Sequence, residues 1–495
     1  MDGSMRKLVL VLFVLLAPLS GSAHVNSPDI YYDGYAGPYH LLVTVRPPAV
    51  VPGIAQIQIR SAGSDVEKIE ILPMRMIGPG AKLAPTADVA EHSAADLQLF
   101  TGKLWIMSRG SWKIQIKAQG TKGQGEMAVP LPAVSANTAT MRSTLGTLLA
   151  FLGLVLVAGL VGIIGAANRE AGLAPGQDST PAQSKHAFGR MAVAGVLVVV
   201  AVVGGAYWWK VDASANAKLN YKLPHVQASL QTGDLLRLTL ENPNAPEPNR
   251  FGIENPDRLR LDDLIHDHGH IMHLFLVRMP DMKSFWHLHP DQIRSGGFTT
   301  NLPSMPAGRY QIYADIVHHT GFPETQVGVI DLPAVAGGLL SGDDAGVSDL
   351  AAAENVAPLS DGYRMVWERD NRPLKAKQPI WFRFRVQDKD GKAAGDLEPY
   401  MGMTAHAVFI SSDGQVFAHV HPAGSVSMAA VGLAEGSKPG PNANMDYMHT
   451  SLLDSAESRV SVPYGFPQGG EYRIFVQVKR AGHVETGVFV AHVEN

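Results

Sequence analysis

Two uncharged stretches near the middle of the chain restrict its fold more than any other feature. Leu145 to Ala167 runs for 23 residues and Met191 to Trp209 for 19 without a charge. The apolar core of a bilayer is about 30 Å thick and takes about 20 helical residues to cross. Both stretches, 145–167 and 191–209, are therefore expected to be transmembrane helices. The second ends in Tyr207-Trp208-Trp209, aromatic residues of the kind that gather at the membrane–water boundary. The rest of the 495 residues must fold before, between or after these spans.

The segment between them, 168–190, sets Arg169, Lys185 and Arg190 against Glu170 and Asp178. Its basic excess places it on the cytoplasmic side. At the start, Met5-Arg6-Lys7, the apolar run LVLVLFVLLAPL and Gly21-Ser22-Ala23 have the layout of a signal peptide, residues 1–23. Cleavage after Ala23 would make His24 the amino terminus. Both signals give one topology: residues 24–144 and 211–495, with the β modules they hold, on the periplasmic side of a bacterial cell membrane. The absence of Cys fits a bacterial envelope better than a disulfide-forming secretory route. With a net charge of −4 and no long basic run, the chain is not a nucleic-acid binder.

The extracytoplasmic parts read as mainly β. Tyr39 to Arg46, Ile54 to Arg60, Lys68 to Leu72 and Trp112 to Lys117 alternate apolar and polar residues, punctuated by Gly and Pro. Short strands at this spacing indicate a sandwich. Residues 220–335 and 360–495 repeat one another. Pro306 to Tyr313 answers Pro467 to Phe475, and Glu324-Thr325 answers Glu485-Thr486. A repeat this long is a duplicated domain rather than a solenoid. The expected fold is three Ig-like or cupredoxin-like β-sandwich modules, with the two spans between the first and second. The linker, roughly 334–358, is rich in Ala, Gly, Ser and Asp.

Within the repeat lies the chemistry. Met272 to Pro290 reads MHLFLVRMPDMKSFWHLHP, and 133 residues on, Ala405 to Pro422 reads AHAVFISSDGQVFAHVHP. Each is an apolar run opening on a His, a turn, and a second run ending in His-x-His-Pro. Asp413-Gly414 is a strong two-residue hairpin turn. Pairing Ser412 with Gln415 across it sets His406 opposite His421, and a loop of Pro280 to Met282 sets His273 opposite His289. Residues two apart on a strand share a face, so His287 joins His273 and His289, and His419 joins His406 and His421. Opposed Cβ atoms lie about 4.5–5.5 Å apart, close enough for two imidazoles to share an ion. Each Pro ends its strand.

Six His fall within 24 residues: His266, His268, His270, His273, His287 and His289. Imidazole suits copper, zinc, nickel and iron. Thioethers at Met401, Met403, Met445 and Met448, the last beside His449, favour copper, although Met is more often a packing residue. A blue-copper site is excluded because it needs a Cys thiolate. A second candidate site is His24, whose free amine and ring nitrogen could chelate one ion, with His40 or His92 adding an imidazole. Asp267 and Asp262-Asp263 could orient imidazoles, or be solvated charges in a loop. No nucleophile elbow, phosphate loop, dinucleotide fingerprint or HExxH motif occurs in a supporting context.

The spacing of His273, His287, His289, Pro290, Gly308 and Tyr310, echoed by His406, His419, His421, Pro422, Gly470 and Tyr472, resembles the YtkA-like exported Ig-type modules that accompany bacterial copper proteins. The β module, two spans, β module order is similar, in architecture only, to the copper-bearing subunit of particulate methane mono-oxygenase, which also begins with a ligand His. A terminal His is likewise reminiscent of the periplasmic copper-resistance protein C class. These resemblances imply copper as the metal, with zinc as the other choice, and an envelope copper-handling or oxidase complex as partner. Three functions fit: a non-catalytic membrane-anchored copper-binding protein, a copper oxygenase subunit centred on His24, and an assembly protein using Ig-like modules as partner surfaces.

Overall fold

The structure is a computed structural model and describes residues 29–138, 141–174, 176–218, 220–244, 259–370, 372–436 and 458–495. The signal-peptide segment, His24, Met445, Met448 and His449 lie outside the described residues. The chain forms two compact units: Val134–Tyr221, and a β unit made of the remainder on either side of it.

Val134–Tyr221 holds two helices, Ser143–Glu170 and Pro181–Ala217, long and apolar enough to cross a membrane. Leu154, Ile163, Val199 and Val203 are exposed, as are Tyr207, Trp208 and Trp209. Helices apolar on all sides need an apolar surrounding. The helices run past the uncharged stretches into the segment expected as a loop. The second begins at a capping box, in which Thr180 Oγ1 accepts from Gln183 N and Gln183 Oε1 accepts from Thr180 N. That reciprocal pairing satisfies two of the backbone donors a helix start leaves open.

The β unit contains the three expected modules. The first packs a five-stranded sheet (Ile30–Ala36, Tyr39–Arg46, Gly53–Ser61, Leu99–Ile106, Glu91–His92) on a four-stranded one (Asp88–Val89, Val66–Arg75, Gly110–Gly120, Gly123–Ala133). The second and third each pair a four-stranded with a six-stranded sheet. In the second, Gly308–His318 pairs with Met272–Met279, which pairs with Phe285–Leu288; in the third, Gly470–Arg480, His406–Ser411 and Phe417–Val420 repeat that order. The repeat reaches single bonds: Tyr310 Oη donates to Pro306 O at 2.6 Å and Tyr472 Oη to Gln468 O at 2.8 Å.

Both hairpins take the expected register. Leu274 faces Leu288 and Phe275 faces His287; Ala407 faces Val420 and Val408 faces His419. The strands end at Leu288 and Val420, before each His-Pro. Their uninterrupted apolar character has a cause: both faces are covered. Met272, Leu274 and Leu276 enter the second module's core, while Phe275 and Val277 join Val408, Ile410, Phe417 and Phe475 in a separate core between the modules.

That shared core has local two-fold symmetry. Phe285 stacks on Phe475 at 4.2 Å, and its counterpart Phe417 stacks on Tyr313 at 4.2 Å. A pair of like surfaces meeting this way makes each contact twice. Phe417→Ala is expected to lower stability by roughly 3–5 kcal/mol, the usual cost of emptying a buried Phe site, measurable by denaturant unfolding.

The linker is not a spacer. Ala345–Val347 adds an edge strand beside Phe285–Leu288, and Val356–Pro358 opens the third module's smaller sheet. The first module is tied to the third. Met403, Val426, Met428 and Val431 are part of its core, and Asp33 N donates to Ala423 O at 2.8 Å.

Candidate metal centre

Each hairpin brings its three imidazoles together. In His273, His287 and His289, one nitrogen from each ring lies within 4.8 Å of the others, and the same holds for His406, His419 and His421. Around an ion with bonds of about 2.0–2.1 Å, ligand nitrogens stand roughly 3.4 Å apart, so binding would draw the rings slightly inward. His273 Nδ1 is already 3.0 Å from His287 Nε2, and His406 Nδ1 is 3.4 Å from His419 Nε2.

The two triads are one cluster, because the faces that carry them are the faces that pack together. His273 and His419 have ring centroids 5.4 Å apart, and the symmetry-related His287 and His406 are 6.3 Å apart. His268 and His270 join from a turn in the second module. His268 lies 4.6 Å from His421 and 5.0 Å from His406, whereas His270 stacks on His289 at 3.8 Å.

The groups that orient these rings come from both modules and from the linker. Gln477 Oε1 lies 2.8 Å from His287 Nδ1, and Thr486 holds the Gln477 amide at 3.3 Å. Reciprocally, Asp315, the residue equivalent to Gln477, lies 3.4 Å from His419 Nδ1 and accepts from Thr325 Oγ1 at 2.5 Å. Burial pushes the Asp315 carboxyl up to about 6. Within each module a backbone carbonyl fixes the first His: Asp267 O with His273 Nε2 at 3.0 Å, Tyr400 O with His406 Nε2 at 3.3 Å. The linker adds Asp344, 2.9 Å from His289 Nδ1, and Asp343, 3.3 Å from His270 Nε2. Tyr400 Oη donates to Asp343 O at 2.7 Å.

The electrostatics favour ligands. Burial, reinforced by neighbouring imidazoles, lowers His268 and His273 to about 3. Burial brings His419 to about 4 and holds His287, His289, His406 and His421 well below the usual imidazole range. These rings are neutral near pH 7, the form that binds metal. His268 Nε2 and His289 Nε2 are buried with no hydrogen-bond partner. Buried polar atoms are nearly always paired, so orphaned lone pairs facing other imidazoles fit an absent cation. Outer partners tune affinity by about 10–100-fold. Gln477→Leu is expected to weaken metal binding at the second module's triad by that factor, measured by competition with a chelator.

Other residues singled out from the sequence lie elsewhere. His40 Nε2 is 2.6 Å from Asp33, whose hydrogen bond raises the imidazole, and its ring stacks on Tyr35. His92 stacks on Phe100. Met403 packs in the first module's core, and Met401 offers its backbone carbonyl to His268 Nδ1 at 3.1 Å. Asp262 pairs with Arg260 and Asp263 with His319. Sequence reasoning missed Asp315, Asp343, Asp344 and Gln477. Of these, Asp315 and Gln477 had a signal in their equivalent places in the two repeats.

A family model described as a domain of unknown function, DUF8832, matches residues 356–495, the third module from its first strand to the end. A comparison with curated protein sequences finds no match. Solved structures similar to the chain include an engineered protein (12% identity, 19% of this chain and 20% of that one, TM-score 0.15). Others are chicken CNTN1 FN1–FN3 domains (8% identity, 91% and 97%, TM-score 0.13) and an ICAM-5 D1–D4 fragment (6% identity, 92% and 76%, TM-score 0.15). The chain spans a fifth of the length of the engineered protein.

Proposed function

We propose that this is a membrane-anchored, extracytoplasmic copper-binding protein without catalytic activity of its own, its metal held by His273, His287 and His289 and by His406, His419 and His421. One observation carries the reading: two triads of neutral imidazoles, each with one nitrogen per ring within 4.8 Å of the others. Two helices long and apolar enough to span a bilayer supply the anchor. The basic excess of residues 168–190 and the signal-like start support an extracytoplasmic position for the modules. An all-imidazole set suits copper and zinc alike; copper is preferred because the hairpin pattern resembles exported copper-associated modules. An envelope copper-handling complex is the expected partner.

The test is metal content of the full-length, untagged protein in detergent, equilibrated with copper or zinc and passed through a desalting column. Wild type should retain copper in preference to zinc, and a His287→Ala/His289→Ala variant should retain less. Copper retention unchanged by that double substitution, or absent from wild type, refutes the assignment. Sidedness has a separate readout. The chain has no Cys, so a single Cys placed at exposed Gly395 should react with a membrane-impermeant maleimide in spheroplasts.

A further inference from the structure

We propose that the eight imidazoles form one two-ion centre with unequal sites. His268 of the second module completes a closed four-imidazole site with His406, His419 and His421, while His273, His287 and His289 form an open, exchanging site with His270 at its mouth. This deepens the metal-binding reading and rests on it.

The inequality comes from a single turn. Asp267 and His270 bridge through paired backbone hydrogen bonds, as do Tyr400 and Met403 at the equivalent place in the repeat. The central residues adopt the same left-handed geometry, φ 52° and 88° at His268 and Gly269, 50° and 78° at Met401 and Gly402. The backbone device is one and the side chains differ. Where the second module carries His268 and His270, the third carries Met401 and Met403, and Met403 is committed to the first module's core. An imidazole crosses from the second module to the third, and among the described residues the equivalent turn sends none back.

The triads themselves are alike in burial, His273 and His287 at 3% and 0% exposed against His406 and His421 at 0% and 2%; the sites differ at the fourth imidazole. His268 is 6% exposed, with its Nε2 unpartnered. On the other side, the His270 and Asp343 side chains, which touch each other, are 29% and 30% exposed. A four-ligand closed set is the arrangement of ions that stay, and three ligands with an open position that of ions that react or exchange. Because the closed site takes ligands from two modules, its ion also fastens the modules together.

The experiment uses full-length, untagged protein in detergent, loaded anaerobically with cuprous ion and challenged with excess bathocuproine disulfonate. Wild type should hold two equivalents and release them in two phases of equal size. His268→Asn should remove the slow phase and spare the fast one; Asn tolerates the left-handed backbone at this position. His289→Ala should do the opposite. Two equivalents leaving wild type in one phase would overturn the inequality whether or not the variants fold, while leaving metal binding intact. A slow phase unchanged in His268→Asn, with a wild-type melting profile, would also overturn it. Failure of wild type to bind any copper would sink the metal-binding reading itself.

Discussion

Lowering the pH from 6.5 to 5.5 is expected to remove several kcal/mol of stability from the metal-free protein. Seven imidazoles, His268, His273, His287, His289, His406, His419 and His421, are buried and held below their ordinary range. In the unfolded chain each takes up its proton near pH 6.5, whereas in the fold His268 and His273 do so only near 3 and His419 near 4. The unfolded state binds more protons throughout that window, so stability falls as pH falls through it and is fully present above it. Each ring contributes roughly 1 kcal/mol across the first unit, against a total of about 5–15 kcal/mol for a typical domain. Denaturant unfolding of metal-free protein at the two pH values checks this. A midpoint that does not move would show that the rings are solvated.

Metal should act in the opposite direction. An ion that binds only the folded state adds about 2.7 kcal/mol per site at a free concentration a hundred times its dissociation constant. Two sites would roughly double that gain. His419→Ala should abolish the contribution of the third module's site, and His287→Ala that of the second. Thermal melts with and without copper, at pH 7.5 to keep protonation out of the comparison, give the result. Equal stabilisation of wild type and both variants would place the bound metal elsewhere. The two effects are linked, since a ring that holds an ion cannot take a proton, so copper should also move acid unfolding to lower pH.

Much of the local geometry could be read from the chain because its signals are local. Asp413-Gly414 fixes a two-residue turn, and the period of two along a strand then decides which His share a face. His406 and His421, and His273 and His289, meet as that arithmetic requires. The joining of the triads could not be read. It depends on Phe285 meeting Phe475 and Phe417 meeting Tyr313 across a surface between modules, and nothing in the pattern of either module states which face is left for a neighbour. The clue was the unbroken apolar run from Leu274 to Val277, buried on both faces, which also describes an ordinary core strand. The linker misled for another reason. Its small and acidic residues look like a spacer, yet Asp343 and Asp344 reach His270 and His289 and Ala345–Val347 closes a sheet edge. A strand of three residues leaves no periodicity to detect.

The most direct measurement is anomalous diffraction at the copper edge from crystals of the full-length protein grown with copper. The account predicts two peaks, one among His273, His287 and His289 and one among His406, His419 and His421. Copper-loaded crystals with no peak in either triad, or with copper only at other residues, would contradict it.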